Sequence, residues 1–114
     1  HKQWYFGKSL DGFTPIGPCI VTADAFADYP PKLGIRSFVN GEKRQDSNTA
    51  LQIFDIDHVI AELSQGMTLK AGTIIATGTP AGVGMGMDPP QFLKPGDVVR
   101  CEIEGIGTLT NPVK

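Results

Sequence analysis

Two places in this 114-residue chain carry residue types that could do chemistry. The first is Lys8, set within Trp4-Tyr5-Phe6-Gly7-Lys8-Ser9-Leu10-Asp11-Gly12-Phe13. A lysine among aromatics and glycines is expected to be partly desolvated, and a desolvated ammonium attracts an anion or a polarised carbonyl more strongly. A surface lysine snorkelling past Phe6 and Phe13 explains the same pattern, and on spacing alone that plainer reading is favoured. The second place is the glycine-rich run from Gly78 to Gly86. Its backbone can approach a ligand closely, Thr79 adds a hydroxyl, and neighbouring amides can hold a carboxylate. A turn that serves only the fold fits the spacing equally well.

Other chemistries fail on context. The glycine run follows a β-prone segment, which suits a nucleotide site, but Asp88-Pro89-Pro90 stands where a dinucleotide site needs a helix N-terminus. Gly7-Lys8-Ser9 is similar to the end of a P-loop, yet the required earlier glycine is Lys2. No Ser-His-Asp set assembles, and no cluster of His, Cys, Asp or Glu has metal-ligand spacing. His58 lies beside an apolar helical stripe, and Asp55 and Asp57 suit a helix cap. Glu102 and Glu104 alternate on a strand and are read as solvent-facing.

The elements that must position Lys8 and Thr79 are mostly strands and turns, since the chain has 14 glycines and 9 prolines. Cys19-Ile20-Val21-Thr22 is a short β-prone run. Asn40-Gly41, after Ile35, Phe38 and Val39, predicts a hairpin whose return strand runs from Glu42 towards Gln45, with Asp46-Ser47-Asn48 as a polar loop. Ile56, Val59, Ile60 and Leu63 predict one amphipathic helix, stopped by a left-handed Gly66. Residues 73–77 predict a buried strand entering the glycine loop. Lys94-Pro95-Gly96-Asp97 and Glu104-Gly105-Ile106-Gly107 predict turns framing two closing strands. The fold class expected is mainly β with one helix, an α+β roll in a single domain over 1–114.

The net charge is −2 and charged residues make up 19%, so neither nucleic acid nor a membrane surface is called for as a partner. No run approaches the about 20 apolar residues a membrane span needs, and the opening residues carry no signal-peptide pattern. Cys19 and Cys101 lack C-x-x-C spacing and are expected as buried or half-buried free thiols in a reducing, cytoplasmic setting. An opening at His1, running straight into aromatics, reads as a piece of a longer chain.

The segments taken together resemble the fumarylacetoacetate hydrolase family. Gly7-Lys8-Ser9-Leu10-Asp11-Gly12-Phe13 with Pro15-Ile16-Gly17-Pro18 is similar to its "GKSFD…PLGP" block, and Val39-Asn40-Gly41-Glu42 to its "VNGE" hairpin. Thr77-Gly78-Thr79-Pro80-Ala81-Gly82-Val83-Gly84 matches "TGTPAGVG" letter for letter. Leu93-Lys94-Pro95-Gly96-Asp97 through Gly107 is similar to the closing hairpin, whereas Leu69-Lys70-Ala71-Gly72-Thr73 departs from the usual "L.PGD".

The resemblance implies a mixed β-roll, a homodimer and a Mg²⁺ or Mn²⁺ ion whose Asp and Glu ligands lie upstream of His1, none of them in this sequence. It implies a hydrolase, decarboxylase or isomerase of small keto or diketo acids, working through a metal-bound enolate. Lys8 then contacts the substrate or enolate oxygen as the catalytic cation, while Thr79 and Gly78 hold the substrate carboxylate. Backbone at Lys8 and Gly12 is implied, more weakly, in a second cation site. The competing reading is a β-roll binding or dimerisation module with no catalysis of its own.

Overall fold

Asn40 and Gly41 turn the chain back on itself with φ of 52° and 85°, the pair of positive values that an Asn-Gly hairpin turn needs. The turn joins β1 (Gly34–Val39) to β2 (Glu42–Asn48). The protein is described by a computed structural model covering residues 3–114. His1 and Lys2, where the chain opens and where a P-loop would need its glycine, lie outside the described residues. Two further strands follow late in the chain, β3 (Val98–Ile103) and β4 (Gly107–Pro112). The four form one antiparallel sheet in the order β2-β1-β3-β4. Among the described residues two α-helices, α1 (Trp4–Lys8) and α2 (Ile56–Ser64), and three short 3-10 turns complete an α+β fold.

The hairpin and the closing strands stand where the sequence places them. The return strand is longer than expected: Asp46, Ser47 and Asn48 belong to β2, opposite Arg36, Ile35 and Gly34. Arg36 Nε and Asp46 Oδ1 form an ion pair at 3.0 Å across the ladder. Pairing slips by one residue between Ser37 and Phe38, so Arg44 has no opposite number and forms a bulge.

Alternation gives the sheet two unlike faces. One carries Arg36, Phe38, Arg100, Lys43 and Asp46, with the Arg100 guanidinium 4.2 Å from the centre of the Phe38 ring. The other carries Ile35, Ser37, Val39, Val99, Cys101 and Leu109. Glu102 pairs with Arg100 at 3.2 Å, and Glu104 Oε2 accepts from the Gly34 N–H at 2.9 Å, so neither simply faces solvent.

Helix α2 starts at Asp55, whose Oδ1 accepts from the His58 N–H at 2.7 Å. Its end differs from expectation. Gly66 is not left-handed; the Leu63 carbonyl instead accepts from the N–H groups of Gly66 and Met67. Helix α1 is unheralded in the sequence, because five residues are too short to show a period.

Residues 73–77 and 19–22 are not strands here. No described strand lies alongside to complete a ladder, and Ile74 and Ile20 are 66% and 85% exposed. Cys19 and Cys101 are free, as the sequence suggests, but exposed rather than buried. Among the described residues no hydrophobic side chain is fully buried, so the apolar faces are left for another surface to cover.

Candidate functional site

Lys8 is the last residue of α1, and its ammonium lies 5.5 Å from the centre of the Trp4 ring one turn earlier. Gln3 caps that helix through the Tyr5 N–H. The lysine is exposed; the expected desolvation goes no further than the indole on one side, because no described element closes over it. The Lys8 carbonyl accepts from the Thr14 hydroxyl at 2.7 Å, and Gly12 has a left-handed φ of 77°. The 8–14 loop is thereby turned back on the helix end, with one lone pair of that carbonyl engaged.

The glycine loop is pressed against the sheet. Gly78 has φ +106° with nothing within 4 Å of a would-be Cβ, so backbone conformation alone demands glycine there. Gly82 is both left-handed and packed so closely that a Cβ would collide with the Arg44 carbonyl. Gly84 would collide likewise with the Gln91 carbonyl.

Two β2 residues hold this loop, and nothing in their types announced it. The Arg44 guanidinium donates from Nη1 to Gln91 Oε1 at 2.7 Å and pairs with Glu42 at 3.3 Å, while its Nε is buried with no hydrogen-bond partner. Gln45 Nε2 donates to Thr79 Oγ1 at 2.9 Å and to the Pro80 carbonyl at 2.8 Å. Farther back, Gln52 Nε2 donates to Thr77 Oγ1 at 3.0 Å. The hint that could have pointed to Arg44 and Gln45 is positional: they lie on a strand at the edge of the sheet, where bulges are over-represented.

A cavity of about 630 Å³ lies beside this clasp, bounded by Asn40, Arg44, Gln45, Phe92, Lys94 and Asp97 among others. A second, of about 700 Å³, opens at Arg36, Glu102 and Glu104. Neither Lys8 nor Thr79 lines either one. Gly78 and Thr79 are neighbours on the loop, and Lys8 ends α1. Among the described residues no group of three or more His, Cys, Asp or Glu could hold a metal ion, so these side chains do not fit one by themselves.

The chain matches the family model for the C-terminal part of fumarylacetoacetate (FAA) hydrolase over residues 1–114. It belongs to the fumarylacetoacetate hydrolase family. A fumarylacetoacetate hydrolase from psychrophilic Exiguobacterium antarcticum superposes with a TM-score of 0.89 at 56% identity, over 96% of this chain and 39% of that one. The mitochondrial oxaloacetate tautomerase fahd2 of Xenopus laevis is 51% identical over 98% of this chain and 35% of its own length. A maleylpyruvate hydrolase from Sphingobium sp. SYK-6, solved with manganese(II) and pyruvate, has a TM-score of 0.82 at 44% identity, over 95% of this chain and 38% of that one. The chain thus spans little more than a third of the length of the curated relatives it matches, 35% to 37% of three of them. No helix among the described residues is long and apolar enough to cross a membrane.

Proposed function

We propose that this chain is the C-terminal portion of a fumarylacetoacetate hydrolase-type catalytic domain in an enzyme that isomerises, cleaves or decarboxylates small keto acids through an enolate. The observation that carries this reading is the kinship with the maleylpyruvate hydrolase that holds manganese(II) and pyruvate, itself a small keto acid. Removing a proton, an acyl group or a carboxylate from the carbon beside a ketone moves an electron pair onto the ketone oxygen. A site for that chemistry must meet the developing negative charge and must also hold the substrate carboxylate still.

Lys8 is assigned the first task. Its ammonium is a compact, mobile point charge at a helix end, able to swing onto the ketone oxygen as charge builds there. Thr79 and Gly78 are assigned the second. The left-handed Gly78 and the exposed Thr79 hydroxyl present polar groups on the loop, suited to a carboxylate. A Mg²⁺ or Mn²⁺ ion would supply Lewis-acid stabilisation of the same oxygen. The described residues offer no ligand set for it, so we assign its carboxylates to parts of the protein upstream of His1. Backbone contacts to a second cation at Lys8 and Gly12 remain a weaker assignment, with the Lys8 carbonyl already accepting from Thr14.

The exposed apolar faces support a homodimer, and two free thiols support a reducing compartment such as the cytoplasm. Calorimetric titration of the full-length protein with oxalate, an enolate mimic, tests the catalytic reading. Binding that requires Mg²⁺ or Mn²⁺ is expected. No oxalate binding with either metal present would favour a non-catalytic β-roll module instead.

A further inference from the structure

We propose that Gln45 is a positioning residue that turns the Thr79 hydroxyl proton outward, so that Thr79 meets the substrate as a hydrogen-bond donor. The inference rests on the assignment of Thr79 to the substrate carboxylate.

The orientation of the Gln45 amide follows from its partners. The Pro80 carbonyl can only accept, so the atom 2.8 Å from it is the amide nitrogen. The two hydrogens of that nitrogen are divided between Pro80 O and Thr79 Oγ1, the latter at 2.9 Å. The amide oxygen faces the other way and accepts from the Ser37 hydroxyl at 2.8 Å. Ser37 and Gln45 are directly opposite in the β1–β2 ladder, where cross-strand side chains meet. The acceptor-only Pro80 carbonyl therefore fixes which way the amide faces, and the Ser37 hydroxyl, able to donate or accept, turns its proton to the amide oxygen.

The bulge makes this arrangement reachable. Arg44 is the extra residue of β2, and a bulge re-aims the side chains beside it. The Arg44 carbonyl meanwhile touches Gly82, so the bulge and the glycine loop are in register within a few residues of the clasp.

The consequence is chemical. The Thr79 oxygen accepts from Gln45 and makes no second hydrogen bond among the described residues. Its own proton is thus left unspent and directed away from Gln45. A hydroxyl so arranged donates to an anion, whereas a freely rotating one would divide its time. The same amide nitrogen also donates to the Pro80 carbonyl, the next residue along the loop.

The test is steady-state kinetics of the full-length protein with oxaloacetate, together with oxalate titration. Gln45→Glu keeps the shape but replaces the donor with an acceptor, which draws the Thr79 proton back toward β2. KM and the oxalate Kd are expected to rise about tenfold or more, the scale of one hydrogen bond to a charged group, with kcat changed far less. Gln45→Met, isosteric and uncharged, should show the same split in smaller degree. It serves as the readable variant if the glutamate form folds poorly. In a Thr79→Val background neither substitution should raise KM further, a non-additivity that a merely structural role would not produce. If Thr79→Val weakens binding while Gln45→Glu and Gln45→Met do not, Gln45 is no positioning residue and the Thr79 assignment stands. If Thr79→Val leaves KM and oxalate affinity unchanged, the Thr79 assignment itself falls.

Discussion

The Asn40 side-chain amide donates to Asp97 Oδ1 at 2.9 Å, joining the β1–β2 turn to the residue that precedes β3. Around this bond the Asn40 oxygen accepts from the Val98 N–H at 2.9 Å, and Asp97 Oδ2 accepts from the Lys94 N–H at 2.8 Å. Two turns distant in sequence are therefore one hydrogen-bonded corner, and it forms part of the wall of the cavity beside Gln45.

That corner makes stability depend on acid. The Asn40 hydrogen bond first, then the Lys94 N–H, hold the Asp97 carboxyl below its ordinary value of 3.8, with the charges of Lys94 and Arg44 adding to the effect. A carboxyl depressed in the folded state stabilises the fold above its unfolded value and loses that contribution as pH falls through the folded one. Asp97→Asn should lower the Tm of the full-length protein near neutral pH, and the gap to wild type should close below about pH 4. Thermal melts across that range check it; a gap as wide at pH 3 as at pH 7 would remove Asp97 from the account.

The glycine loop gives a comparison within one motif. Gly78 and Gly82 have nearly equal φ, +106° and +107°, but only Gly82 faces a backbone carbonyl at contact distance. Gly78→Ala should cost about 1–2 kcal/mol, the penalty for a left-handed non-glycine residue. Gly82→Ala adds a collision with Arg44 and should cost about 1–3 kcal/mol more, the scale of overpacking. Denaturant unfolding of the two variants checks the order. Equal losses would mean that β2 and the loop are not in contact.

Lys8, in the role proposed for it, should bear on turnover rather than on folding. Being exposed at the end of a five-residue helix, it contributes little to stability. Lys8→Ala should leave the melting temperature nearly unchanged and cut kcat by about 10²-fold or more, the scale of removing one electrostatic stabiliser. Trp4→Ala, which removes only the indole beside the ammonium, should cost far less. Wild-type kinetics for Lys8→Ala would strip the lysine of its role.

How much of this was legible in the sequence depends on the range of the interaction that decides each feature. The Asn40-Gly41 turn, the Asp55 cap and the closing strands are local, and residue type is enough to place them. The extension of β2 through Asn48 was hidden because Arg36 and Asp46 find each other only across the ladder. Residues 73–77 read as a strand because their apolar, β-branched character is a preference for a pleated surface, and that preference needs a neighbour to act on. Lys8 and Thr79 could be picked out as candidates by the company they keep. Gln45 could not, because its amide matters through Ser37 on one side and Thr79 and Pro80 on the other, eight, 34 and 35 residues away.

The apolar surface near the glycine loop should be covered in the full-length protein. Leu51 and Ile53 are 74% and 92% exposed, and they flank Gln52, whose amide reaches Thr77 at the entrance of the glycine loop. Large aliphatic side chains displayed next to a candidate site contribute about 1.5–3 kcal/mol each once covered. If that face is covered in the full-length protein, Ile53→Asp should destabilise it by at least about 2 kcal/mol, far beyond the roughly ±0.5 kcal/mol of an ordinary surface change. Denaturant unfolding measures the loss, and sedimentation shows whether a second copy of the protein does the covering. In that case the substitution shifts the assembly toward monomer as it weakens the fold. A change within the surface range, with unaltered mass, would show that Ile53 faces water in the full-length protein and that the proposed homodimer draws nothing from this part of the molecule.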